Sequence, residues 1–354
     1  MTGIHKEQSS LIETATDLLA MVAERTMRFD FTVWFWGDSI AFDGMFKASE
    51  ILNVDKFRNH MIEYLKRWVL NGQITWNDVV CPSESLIQVH LITKQHQYLE
   101  MAERLANHLN NEVPRSYKPE GPIYLPDNPR FRNFIWVDSL YHLPTFFFSL
   151  ARITNKTVYI DWGMYVIRTH INCLQDKETL LFPQGRDLSN SLIRGFGWGR
   201  GVAWAHLGLI DAYALLPEDH PERSYILEKF EELSKVILNY QDSTGCWRNL
   251  IHRSDAPLEG STAAMFGAAF EKGVRLGVLG DEYEQAANLA WGYVCKHIND
   301  EGGFYNASAC SWSADSPGDD SDRYMRFYTE VNVWGQGAAL RIITERILSG
   351  KEFI

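Results

Sequence analysis

Two kinds of apolar pattern alternate along the chain. In one, apolar residues recur near i, i+3, i+4 and i+7 with charges on the opposite face, the mark of a helix with one wet side. These segments are VDKFRNHMIEYLKRWVL (54–70), KQHQYLEMAERLANHL (94–109), NKTVYIDWGMYVIRTHI (155–171), PERSYILEKFEELSKVIL (221–238) and GDEYEQAANLAWGYVCKHI (280–298). In the other, helical segments are apolar nearly all round and rich in small residues. They are AFDGMFKASEIL (41–52), SLIQVHLIT (85–93), DSLYHLPTFFFSLARIT (138–154), GRGVAWAHLGLIDAYALL (199–216), EGSTAAMFGAAFEKGVRLG (259–277) and TEVNVWGQGAALRIITERIL (329–348). A further segment near 9–24 brings the count to twelve.

A helix that is apolar all round must be buried on every side. The alternation therefore predicts two concentric layers, with six hairpins closing in a ring: an all-α (α/α)6 toroid or barrel. A second repeat supports the phasing. QDKETLLF (175–182), QDSTGCW (241–247) and NDEGGF (299–304) each follow an amphipathic helix and lead to an apolar or aromatic residue. They predict short hairpins or bends at equivalent places on the loop faces. No Pro/Gly/Ser-rich linker interrupts the pattern, so residues 1–354 are expected to form a single catalytic domain. In such a ring the loops entering the inner helices share one face around a central funnel, the natural place for a ligand.

Composition narrows the partner. A formal charge of −11 argues against nucleic acid or an anionic membrane. The 12 Trp, 15 Tyr and 19 Phe favour a carbohydrate ligand, because flat rings stack on sugars. Five scattered cysteines without a CxxC pair read as buried thiols in a reducing compartment. The N-terminal stretch lacks a basic region followed by an apolar one, and no run of 18 apolar residues occurs. Neither a signal peptide nor a membrane span is expected, and the cytoplasm is the default location.

Four inner-helix entrances carry unusual chemistry: TVWFWGDSIAFDG (Trp34, Trp36, Asp38), TWNDVVCPSESL (Asp78), NFIWVDSLYHLP (Trp136, Asp138, His142) and GFGWGRGVAWAHLG (Trp198, Arg200, Trp204). Taken singly, each aspartate is readily explained as a helix N-cap and each tryptophan as core. The glycines of GFGWGRG follow no predicted strand and lack a GK[ST] ending, so they suggest a tight turn beside a ligand rather than a phosphate loop. The acidic loop 310–327 lacks EF-hand spacing and is expected to be a solvated rim. The histidines lack HExxH spacing, and no metal or other cofactor is expected.

The motifs IWVDSLYHLP (135–144), WGRGVAWAHLGL (198–209) and LEGSTAAMFGAAFEKGVRLG (258–277) resemble those of the unsaturated glucuronyl and rhamnogalacturonyl hydrolases, glycoside hydrolase families 88 and 105, more closely the latter. VNVWGQGAAL (331–340) and TWNDVVCPSESL (75–86) agree less closely. The resemblance implies a general acid/base at Asp138, a second catalytic aspartate at Asp78, and substrate contacts at Trp136, Trp198, Arg200 and Trp204. Gln184, in LFPQGRDLS, stands where the family commonly has a histidine, and Trp36 and Asp38 replace an expected tyrosine and amide. Trp34 and His142 complete the candidate substrate-binding set.

The implied substrate is an oligosaccharide ending in a uronate with a C4=C5 double bond, rhamnogalacturonan-derived first among the candidates. The enzyme would act as a monomer or weak homo-oligomer. Hydration of the double bond needs a carboxylic acid that is protonated near neutral pH, and the apolar surroundings of Asp138 supply a reason for a raised pKa. Three rivals share the ring: a sugar epimerase, a polysaccharide lyase, and a sugar-binding protein without catalysis. Epimerases of this shape use paired histidines, which none of the four entrances offers.

Overall fold

Helices apolar on every side cannot face water, and they stand side by side at the centre of the protein. A computed structural model describes residues 13–32, 36–75, 80–115, 121–122, 133–309 and 321–353. In chain order the helices are α1 (Ala15–Thr26), α2 (Trp36–Leu52), α3 (Asp55–Asn71), α4 (Ser83–Thr93), α5 (His96–Asn107), α6 (Ser139–Thr154) and α7 (Val158–Leu174). They continue with α8 (Gly199–Leu215), α9 (Arg223–Leu238), α10 (Gly260–Arg275), α11 (Asp281–Lys296), the short α12 (Ser321–Met325) and α13 (Val333–Leu348). The inner helices α2, α4, α6, α8, α10 and α13 touch in that order, and α13 returns to α2 to close the ring. The other long helices pack outside them. This is the (α/α)6 barrel that the two apolar patterns predict.

Burial follows the patterns. Every residue of α8 from Gly199 to Ala212 is buried, whereas α3 buries only Phe57, Met61, Leu65 and Trp68, one stripe at helical spacing. The repeated bends prove to be Asx turns. Asp176 Oδ1 accepts from the backbone N–H groups of Glu178 and Thr179, and Asp242 Oδ1 from that of Thr244. The preceding glutamines, Gln175 and Gln241, each close the turn by donating to a carbonyl at 3.0 Å. In the third unit the accepting side chain is Asn299 rather than Asp300, a shift of one residue.

Short antiparallel strands lead into the inner helices. β1 (Phe134–Trp136), β2 (Pro183–Asp187) and β3 (Ile193–Phe196) form one sheet in that order. β4 (Trp247–Arg248) pairs with β5 (Leu258–Glu259), and β6 (Ala307–Ser308) with β7 (Thr329–Glu330). β1, β3, β5 and β7 immediately precede α6, α8, α10 and α13, so the strands gather at the N-terminal mouth of the ring.

One contact draws two of these helices together. Pro144 lies inside α6 and has no N–H to give the carbonyl of Leu140. That carbonyl oxygen lies 2.2 Å from where a Cβ on Gly208 would stand. Only glycine lets α8 approach so closely, and the approach brings the entrances at Asp138 and Arg200 side by side.

Away from that mouth the barrel interior is ionic. Asp211 accepts from Lys272 Nζ at 2.5 Å and from Arg341. With Asp43 and Glu84 these residues line a cavity of about 710 Å³. Burial, aided by the neighbouring Glu84, pushes the Asp43 carboxyl up to about 8. Tyr141 donates to Asp43 at 3.0 Å, so its ring spans from this cavity towards the opposite mouth. Among the described residues no helix is long and apolar enough to cross a membrane.

Candidate active site

Strand pairing delivers Asp138 to the mouth of the ring. Trp136 pairs with Gly185, and Val137 N–H donates to the Gln184 carbonyl at 2.9 Å. Asp138 then occupies the N-cap position of α6, but its side chain makes no capping hydrogen bond and its backbone is already helical (φ −52°, ψ −34°). The capping role that sequence alone allows is therefore not the one it plays. Asp138 is 6% exposed, and its chain neighbours Phe134, Ile135, Trp136 and Leu140 are buried with it. Desolvation by that burial raises its pKa from the ordinary 3.8 to about 6, while its own backbone N–H and the charge of Arg200 pull the other way. Burial wins over both.

Arg200, in the first turn of α8, is 1% exposed and sits in a cage of indoles. Its guanidinium carbon lies 4.8 Å from the Trp198 ring centroid, 5.8 Å from Trp334 and 5.9 Å from Trp36. Nη1 donates to Ser308 Oγ at 2.6 Å and to the Ser308 carbonyl at 3.2 Å, with Ser261 Oγ and Glu259 Oε1 each at 3.4 Å. Glu259 is wholly buried and balances the cation. It also accepts from Ser261 Oγ, from Ser308 N–H and from Thr262 N–H, the last as the N-cap of α10. The arginine is thus anchored inside the protein through Nη1, a fixed positive charge behind the aromatic wall.

The tryptophans of this mouth are packed into it, with Trp136, Trp198 and Trp204 at most 2% exposed and Trp36 half-buried. Trp36 lies 4.9 Å from Trp334 and 6.4 Å, edge-on, from Trp204. Trp204 packs on Tyr141 at 4.8 Å and on His142 at 5.4 Å, and Trp136 stacks on Phe134 at 5.2 Å. His142 differs from its expected part as a ligand contact. Both of its ring nitrogens are sealed and unpartnered, and desolvation lowers its pKa to about 3, which makes it a neutral core residue under Trp204. Asp38, in the first turn of α2, accepts from Thr32 N–H at 3.0 Å and so ties down the chain ahead of that helix. Trp34, Asp78 and the acidic residues 315, 319 and 320 lie outside the described residues.

Gln184 is on β2, and its Oε1 accepts from the Tyr324 hydroxyl. The structure therefore brings Asp138, Trp136, Gln184, Trp198, Arg200, Trp204 and Trp36 to one mouth of the ring. No group of three or more His, Cys, Asp or Glu among the described residues could hold a metal ion.

The family model described as Glycosyl Hydrolase Family 88 matches residues 4–349. The chain belongs to that family. Among its relatives is the unsaturated rhamnogalacturonyl hydrolase YesR of Bacillus subtilis, 25% identical over 356 residues that cover 96% of each chain. A Formosa agariphila unsaturated 3S-rhamnoglycuronyl hydrolase is 28% identical over 50% of this chain and 53% of its own. Among solved structures, a protein from Salmonella enterica serovar Paratyphi A described as a possible member of the GH105 family superposes with a TM-score of 0.84. It has 21% identity and the match covers 98% of this chain and 96% of that one.

Within this family 88 chain, four site residues escape a reading of sequence alone: Glu259, Ser308, Trp334 and Tyr324. Glu259 and Trp334 lie in quoted motifs, LEGSTAA and VNVWGQG, but nothing local says that one neutralises Arg200 and the other walls it. Trp334 Nε1 donates to the Ser308 carbonyl at 2.9 Å, so Ser308 ties the cation and the ring together. Ser308 and Tyr324 carry no motif signal at all.

Proposed function

We propose that this family 88 protein removes a terminal Δ4,5-unsaturated uronic acid from lyase-generated oligosaccharides by hydrating the C4=C5 double bond, with Asp138 as general acid/base. The observation that carries this is a buried, uncapped carboxyl poised to be half-protonated near pH 6, beside a caged arginine. Asp138 gives its proton to C4 and positive character builds at C5 and the ring oxygen. Water, deprotonated by the same carboxylate, adds at C5. The hemiketal so formed opens and releases the remaining sugar chain, so no pair of carboxylates flanking an anomeric carbon is needed. A positioned acid/base of this kind contributes about 100–10,000-fold in rate.

The buried Arg200 charge favours the uronate carboxylate through the indole wall, with half-buried Trp36 the indole most open to the sugar and the buried Trp136, Trp198 and Trp204 shaping the mouth around it. Gln184 supplies a polar contact beside the acid. Asp78 is the second carboxylate and Trp34 an outer ring contact on the same reading, which assigns Asp38 a supporting part at the entrance. Similarity to YesR favours a rhamnogalacturonan-derived substrate. The chain works as one catalytic domain, as a monomer or weak oligomer, in the cytoplasm. The unbridged thiols of Cys246 and Cys295 agree with that reducing location.

The test is spectroscopic. Protein added to an unsaturated uronyl disaccharide should abolish the ultraviolet absorbance of the double bond, and Asp138→Asn should not. A lyase would create that absorbance from intact polymer instead. Full turnover by the Asp138→Asn variant sinks the assignment.

A further inference from the structure

Gln184 is held at two points. Its backbone carbonyl is fixed by Val137 N–H at 2.9 Å, one residue from Asp138. Its side-chain oxygen is fixed by the hydroxyl of Tyr324, 140 positions away in the chain. Tyr324 is itself locked. It is 1% exposed, its carbonyl accepts from Asn249 Nδ2 at 2.7 Å, and its ring lies 6.3 Å from that of Trp198. The ring also rests on Gly195, where an added Cβ would fall 2.5 Å from it and where φ is +58°. Glycine alone meets both demands at that position. With its oxygen turned to Tyr324, the planar carboxamide presents Nε2 on its other side. Among the described residues nothing accepts from Gln184 Nε2, and that atom is not one of the sealed polar atoms.

We propose that Tyr324 is a positioning residue: it locks the Gln184 carboxamide so that Nε2 donates to a substrate oxygen beside Asp138. The proposal rests on the reaction assigned above and deepens it. An unlocked amide can turn about its last bond and present oxygen in place of N–H, which would repel an acceptor. Through the lock, the site selects for a sugar that places a hydroxyl or ring oxygen at that point. An amide N–H does not titrate, so this contact is the same from acid to neutral pH.

The experiment is a double-mutant cycle on Tyr324→Phe and Gln184→Ala, read by the loss of double-bond absorbance with an unsaturated uronyl disaccharide. Tyr324→Phe keeps the ring on Gly195 and Trp198 and should raise KM about tenfold, the worth of one hydrogen bond, with kcat within about a factor of two. Its pH–rate profile should match that of wild type. Gln184→Ala should raise KM as much, and the double variant no more than Gln184→Ala alone. Gln184→Glu, which keeps an acceptor for Tyr324 but has no N–H, should not restore KM. Additive effects of the two single changes, or wild-type KM in Tyr324→Phe, overturn the positioning role. A wild-type protein inert towards the disaccharide overturns the reaction beneath it, so the two failures are distinct.

Discussion

Replacing the acid should make the protein more stable while it stops the chemistry. In Asp138→Asn the side chain keeps its shape and loses its ionisation. The carboxyl has an ordinary pKa of 3.8 when unfolded and about 6 in the fold, and it is 6% exposed, so little solvent screening applies. The folded state therefore binds the proton more tightly than the unfolded state, and stability falls as pH rises between those two values. About two pKa units at roughly 1.4 kcal/mol each make a penalty of about 3 kcal/mol once the pH exceeds 6. Asparagine escapes it. Urea unfolding of both proteins at pH 4 and at pH 7.5 gives the comparison, and other titrating groups such as Asp43 cancel in the difference. The Asn variant should gain about 2–3 kcal/mol relative to wild type on going from the lower pH to the higher. Equal differences at the two pH values, or an Asn variant that loses ground at pH 7.5, would refute the claim that burial holds this acid up.

Two further outcomes follow from the same geometry. The value of kcat/KM should be level below about pH 6 and fall about tenfold per unit above it, because only protonated Asp138 can donate. His142 and His206, lowered to about 3, and His170, lowered to about 4, stay neutral over that range and add nothing to the fall, and a profile flat to pH 8 contradicts the assignment. Gly208→Ala places a methyl against the Leu140 carbonyl, a backbone atom that cannot swing aside. It should lower stability by about 3 kcal/mol, the upper end for overpacking, and an unchanged urea midpoint would mean that α6 and α8 do not meet there.

The ring was legible because both of its helix types write themselves in local spacing. Phe57, Met61, Leu65 and Trp68 mark one stripe, while α8 has no polar face to show. The Asx turns were legible for the same reason, although Asn299 rather than Asp300 does the accepting, which depends on the register of the loop. The site was legible only in part. Asp138 and Arg200 stand out because charge in an apolar run is conspicuous, and the resemblance gave them roles. Their partners come from afar: Ser308 is 108 positions from Arg200, and Tyr324 is 140 from Gln184. No periodicity encodes such meetings. His142 shows the opposite limit, since a histidine near an acid invites a functional role and only the fold reveals that both nitrogens are sealed.

The caged arginine has a thermodynamic consequence. Three indoles, Glu259 and Ser308 already fix the guanidinium before any sugar arrives. The entropy of arresting that long side chain is lost on folding, not on encounter. On the proposed function, substrate would meet a wall that needs no rearrangement, and the usual loss of about 0.5–1.5 kcal/mol for each mobile side chain stilled at a binding surface would not apply to it. Calorimetry on a turnover-dead variant should see this as binding with little unfavourable entropy from the protein.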